Sequence, residues 1–82
     1  MKKAQAGSVE SNDALITVSE SENLEINITS IVSAFFYDQI YKVITQTLQE
    51  LNIKNIKVDV VDKGALDYTI KARLITAIER MG

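Results

Sequence analysis

Apolar residues change their period as the chain is read. Leu24, Ile26 and Ile28 alternate with Glu25, Asn27 and Thr29, the two-residue rhythm of a half-buried strand, and Ala14 to Val18 has the same β-branched and aliphatic character. The polar run Ser19 to Asn23 between them predicts a turn whose type no Gly or Pro specifies. From about Ile31 the spacing becomes helical. Val32, Phe36, Ile40, Val43, Thr47, Leu48 and Leu51 recur three or four residues apart, with Thr29 or Ser30 placed to cap the start and Asn52 to end the helix in the left-handed region. Ile56, Val58 and Val60 then alternate with Lys57, Asp59 and Val61 as a third strand, which Asp62-Lys63-Gly64 breaks. Leu66, Ile70, Leu74, Ala77, Ile78 and Met81 outline a second helix, in which Asp67 stands one turn before Lys71 as an expected ion pair.

The predicted order is β-β-α-β-α. Both helices carry one apolar stripe and need the same cover, so the expected fold is α+β, a two-layer α/β sandwich with a three-stranded sheet and two helices on one face. The helix between strands two and three implies a right-handed crossover. Two strand orders remain open: strand one in the middle with every pair antiparallel, or strands two and three adjacent and parallel. Residues 1–13 contain small and polar residues with one isolated Val9, and are expected to form a flexible arm ahead of a single domain at 14–82.

Composition narrows the chemistry. A chain of 82 residues buries only about 60–65% of its unfolded surface, which leaves little interior for a deep substrate pocket. Without His or Cys it has no Ser-His-Asp or Cys-His unit and no nitrogen and sulfur set for zinc, so an intrinsic enzyme is not expected. The hydrophobic share of 46% and charged share of 24% place it among folded domains. No apolar run reaches the roughly 20 residues of a membrane span, and no signal core follows Met1-Lys2-Lys3, which predicts a cytoplasmic protein without membrane contact. A net charge of −2 argues against nucleic-acid binding, which needs a basic face.

Four stretches invite a functional reading. Glu20, Glu22 and Glu25 cluster near the predicted hairpin turn but lack the alternating ligands and glycine bend of a calcium loop, and read as solvated charges. Phe35, Phe36, Tyr37 and Tyr41 would suit base stacking or a ligand pocket; their helical spacing favours a split, with Phe36 in the core and the tyrosine hydroxyls in water. Asp62-Lys63-Gly64-Ala65-Leu66-Asp67 sets a glycine where a strand becomes a helix, with Asp62 or Gly64 as N-cap, and lacks the second glycine and Lys-Ser/Thr end of a phosphate loop. In Gly7-Ser8-Val9-Glu10-Ser11-Asn12-Asp13, Asn12 and Asp13 favour a turn that displays the Ser11 hydroxyl. No base stands beside that hydroxyl, so a partner enzyme must activate it.

Three strings carry a family resemblance: Ala6-Gly7-Ser8-Val9-Glu10-Ser11-Asn12-Asp13, Asp62-Lys63-Gly64-Ala65-Leu66-Asp67, and Ile70-Lys71-Ala72-Arg73-Leu74. Taken in this order they make the chain similar, end to end, to the acyl carrier protein, or γ subunit, of citrate lyase. In that family the serine of a Glu-Ser-Gly-Asp turn carries 2′-(5″-phosphoribosyl)-3′-dephospho-CoA through a phosphodiester, which implies covalent attachment at Ser11. Asn12 stands where the family has Gly, and because Asn is the commonest non-glycine residue at positive φ the turn is expected to survive.

The resemblance also implies a role and partners. An α subunit exchanges the carrier's acetyl group for citrate, releasing acetate; a β subunit cleaves the citryl thioester to oxaloacetate; a prosthetic-group transferase and an acetate ligase visit transiently. Glu10, Asn12, Asp13, Asp62, Lys63 and Gly64 are the expected recognition residues. The missing cysteine fits, because the sulfur belongs to the cofactor, whose pantetheine arm carries one thioester between separate sites at high effective concentration. The δ subunit of malonate decarboxylase bears the same type of group, and sequence physics does not separate citrate from malonate. A reading from another class is an interaction or ligand-sensing domain, unmodified at Ser11, that binds through the open sheet face or the Phe35–Tyr41 region.

Overall fold

The computed structural model describes residues 2–30 and 33–82, and only the backbone of residues 33–35. Its elements are β1 (Lys3–Gly7), β2 (Ala14–Ser19), β3 (Leu24–Ser30), α1 (Ser33–Glu50), β4 (Ile56–Asp62) and α2 (Asp67–Met81). The sheet order is β1-β2-β4-β3, antiparallel at β1/β2 and β2/β4 and parallel at β3/β4. Register sets Ala6, Ile16, Val60 and Ile28 in one row, and Ala4, Val18, Val58 and Ile26 in the next, so alternation delivers one continuous apolar face. The helices cover it, α2 over β1 and β2 and α1 beside β3. Ile16, Ile44, Ile70 and Leu74 are fully buried between the layers, each contributing roughly 1.5–3 kcal/mol. The other face is polar, with Thr17 bonded to Gln5 and Asn27 to Asp59. No helix among the described residues is long and apolar enough to cross a membrane.

Four strands replace the expected three, because Lys3–Gly7, within the segment expected to be an arm, pairs with β2 along its whole length. Its inward residues are Ala4 and Ala6, too small to mark a hydrophobic period but well suited to close packing under α2. Arg80 donates to the Gln5 carbonyl at 2.9 Å and covers part of this edge. Of the two open strand orders the parallel one is found, with β4 between β2 and β3. Every second residue of β4 is buried, whereas β3 is largely exposed as the other edge. The Glu20–Asn23 connection therefore passes across the end of β4 and is not a hairpin.

Helix details depart from expectation in four places. Asn52 ends α1 at φ 57° as expected, but Thr29 and Ser30 belong to β3, and the expected start at Ile31 with Val32 on the stripe lies outside the described residues. The buried stripe is Ile40, Ile44, Thr47 and Leu48; Phe36 is 51% exposed and not in the core, because opposite it stands the loop before α2 instead of the sheet. Leu66, not Asp62 or Gly64, is the N-cap of α2, without a side-chain cap. Lys71 pairs with Glu50 of α1 at 3.0 Å, and Asp67 accepts from Gln39 at 2.6 Å, so both side chains reach across to the neighbouring helix in place of the expected pair.

Candidate functional site

Ser11 occupies the second position of a four-residue turn closed by the Asp13 N–H on the Glu10 carbonyl at 3.1 Å. Asn12 follows at φ 68°, while Ser11 is not in the positive region, the sign pattern of a type II turn, which asks for Gly or Asn third. Asn12 thus takes the positive φ expected at this position. Ser11 is exposed, and its hydroxyl has no hydrogen-bond partner among the described residues. Ser8, three residues earlier, is half-buried and committed: its hydroxyl donates to Asp13 Oδ2 at 2.7 Å and accepts from the Glu10 N–H at 3.3 Å. Ser11 is the one serine whose side chain is described as exposed.

The turn is braced from two directions. The Asn12 N–H donates to the Lys63 carbonyl at 2.8 Å, and the Lys63 N–H donates to the Asp13 carbonyl at 2.9 Å, extending the β2–β4 ladder past Ala14 and Asp62. From the helix layer, Arg73 Nε and Nη2 donate to the two Asp13 carboxylate oxygens at 3.0 and 3.1 Å. Asp13 also accepts from its neighbour's Ala14 N–H at 2.7 Å. The Arg73 hydrogen bond first, then those from Ser8 and Ala14, hold its carboxyl at about 2 against an ordinary 3.8. Gly7 permits this approach: at φ 96° a side chain there would collide with the Ala14 carbonyl and press on Arg73.

The three matching strings therefore meet in space, at Asp13, Lys63 and Arg73. Of the expected recognition residues, Glu10, Asn12 and Gly64 are exposed, and Lys63 and Asp13 are half-buried. Asp62 is 2% exposed and shapes the loop from inside, accepting from Ser30 at 2.8 Å and from the Ala65 N–H at 2.9 Å. Arg73 is the site residue that sequence reasoning passed over; its place in a matching string was the available signal. Glu20 and Glu25 lie elsewhere, engaged with the Lys2 N–H and with Lys57. Among the described residues no group of His, Cys, Asp or Glu is arranged to hold a metal. Tyr37 and Tyr41 stack, with ring centroids 6.3 Å apart, on the exposed side of α1, and the side chain of Phe35 lies outside the described residues.

Chemically, the arrangement presents a hydroxyl and withholds catalysis. Esterifying Ser11 Oγ breaks no hydrogen bond of the turn, yet the one carboxylate braced beside it, Asp13, is already saturated with donors and is too weak a base to deprotonate an alcohol.

Known proteins resemble this chain over nearly its full length. The family model described as the malonate decarboxylase delta subunit (MdcD), an acyl carrier protein, matches residues 1–81. Citrate lyase acyl carrier protein from Oenococcus oeni is 52% identical over 80 residues, spanning 96% of this chain and 82% of the relative. The protein of that name from Lactiplantibacillus plantarum is 53% identical over 94% of this chain and 81% of its own length, and the one from Treponema denticola 44% identical over 96% and 91%. The same fold occurs in a crystal structure of a Pseudomonas malonate decarboxylase hetero-tetramer in complex with malonate, with a TM-score of 0.70 at 19% identity, covering 99% of this chain and 84% of that one. The chain belongs to this acyl carrier protein family, which takes in the citrate lyase acyl carrier proteins.

Proposed function

We propose that this chain is the non-catalytic acyl carrier subunit of a citrate lyase, a cytoplasmic multisubunit complex that cleaves citrate to acetate and oxaloacetate, and that it bears 2′-(5″-phosphoribosyl)-3′-dephospho-CoA on Ser11. The observation that carries this reading is the condition of Ser11: exposed, without a hydrogen-bond partner among the described residues, and set on a braced turn. Relatives 44–53% identical are named citrate lyase acyl carrier proteins.

The residues suit the group. An exposed oxygen on which no contact depends can enter a transferase active site and accept a phosphodiester without disturbing the fold. When bound, the group supplies the thiol that a chain without cysteine lacks. The chain itself does the holding. Arg73 fixes Asp13, Lys63 fixes the backbone of Asn12 and Asp13, and a tether on a fixed base raises the cargo's effective concentration at each partner site. Glu10, Asn12, Lys63 and Gly64 surround the turn where the α and β subunits, the transferase and the acetate ligase would read it.

Protein isolated from its native host is expected to carry the adduct on the peptide containing Ser11, within a complex that consumes citrate. A fully active complex containing unmodified chain overturns the proposal. A malonate decarboxylase-type carrier is the second reading, favoured by the description of the matching family model; consumption of malonate instead of citrate by the loaded complex selects it.

A further inference from the structure

The carboxyl ends of the parallel strands β3 and β4, the β1–β2 turn and the amino end of α2 share one pole of the molecule. There a groove of about 200 Å³ runs between α1 and the loop leading into α2, lined by Phe36, Ile40, Gly64, Ala65, Leu66 and Ile70. Ile40 and Ile70 are buried, yet Phe36 and Leu66 stand 51% and 59% exposed, two large apolar side chains that line the same groove. Such a groove gains from being covered. The attachment turn adjoins its rim: the Asn12 N–H donates to the Lys63 carbonyl at 2.8 Å, and Asn12 Oδ1 lies 3.7 Å from the position a Cβ on Gly64 would take. A substituent on Ser11 is therefore anchored one residue from a side chain that touches the groove's edge.

We propose that this groove is the intramolecular resting place of the pantetheine segment carried by Ser11, with Phe36 and Leu66 covering its methyl and methylene groups. The inference rests on Ser11 being the attachment point. Charge selects the segment. Asp62 and Asp67 are the charged residues lining the groove, so phosphates are repelled from it, whereas the neutral stretch of alternating amides and hydrocarbon is not. A groove this shallow would hold a free ligand weakly. A tether changes that, because covalent attachment keeps the arm near the groove even though a phosphoribose, a nucleoside and a diphosphate separate Ser11 from the pantetheine, a length that lets the arm fold back with its phosphates left outside. The seated arm keeps its thiol away from adventitious reagents and still yields to a partner active site, since only a weak site competes.

The test uses the full chain, unloaded and loaded by its transferase, with loading verified by intact mass. Loading is expected to shift the methyl NMR signals of Ile40, Ala65, Leu66 and Ile70 and to give NOEs from pantetheine protons to the Phe36 ring. Leu66→Ser keeps the mass adduct, loses those NOEs and speeds alkylation of the cofactor thiol by iodoacetamide; an arm seated half of the time predicts a change of about twofold. Phe36→Ser, at a second exposed position on the groove, keeps the mass adduct and repeats the faster alkylation. Unchanged groove methyls in verified loaded protein overturn the inference. Shifts that appear only after the α or β subunit is added also overturn it, and assign the groove to a partner. Absence of the mass adduct contradicts attachment at Ser11 itself, an earlier step on which this inference depends.

Discussion

The connection from β1 to β2, residues 8–13, and the connection from β2 to β3, residues 20–23, are both short, polar and rich in serine and carboxylates. They are held in different ways. The second is pinned mainly at its edge: Glu20 exchanges hydrogen bonds with Lys2, and Ser21 accepts from the Asn23 N–H two residues on. The first is gripped by the backbone of Lys63 and by the guanidinium of Arg73, whose partner Asp13 lies 60 residues away in sequence. Composition does not distinguish them. What sets the Ser11 turn apart is that distant elements converge to immobilise its backbone while leaving one hydroxyl unused.

The contrast can be broken at its base. Gly7→Ala forces a side chain into the Ala14 carbonyl at positive φ and is expected to cost about 2–4 kcal/mol in thermal or urea unfolding. Gly64→Ala keeps the same unfavourable φ without the collision, its nearest atom being Asn12 Oδ1 at 3.7 Å, and is expected to cost about 1–2 kcal/mol.

Removing the helix-side brace tests the electrostatic half. Arg73→Met is expected to move the Asp13 carboxyl from about 2 up toward 3.8, read by carboxyl ¹³C NMR, and to slow loading of Ser11 by the transferase. Asp13 is depressed in the folded chain, so its contribution to stability is complete above pH 3.8 and is lost as pH falls through about 2. Unfolding followed from pH 5 to pH 2 should show this loss in the wild type and much less of it in Arg73→Met.

The turn geometry gives smaller effects. Asn12→Val is expected to destabilise by about 1–2 kcal/mol, since a β-branched residue resists positive φ, whereas Asn12→Gly should stay within about 1 kcal/mol of wild type and load normally. In the other connection, Glu22→Ala should change stability by no more than about 0.5 kcal/mol and leave loading untouched.

Local pattern made much of this legible. Alternation in Leu24–Thr29 and Ile56–Val60 marked strands, three- and four-residue spacing marked both helices, and Asn12-Asp13 marked a turn displaying Ser11. What stayed hidden depends on distant partners. Ala4 and Ala6 carry too little hydrophobic signal to announce β1, whose identity lies in backbone bonds to β2. Phe36 keeps the helical period of a core residue, but period does not say where the sheet beneath it ends. The central position of β4 follows from pairing on both of its edges, which one strand's sequence does not encode. Arg73 sits in an ordinary amphipathic helix until the fold brings Asp13 to it.

The central claim is that the Ser11 oxygen, and no other, takes the CoA-derived group. Ser11→Ala and Ser8→Ala, each coexpressed with the loading enzymes and weighed intact, put it to the most direct test. The account predicts an unmodified mass for Ser11→Ala, with the dispersed amide spectrum of the wild type, and a loaded mass for Ser8→Ala. The full adduct mass on Ser11→Ala would contradict it.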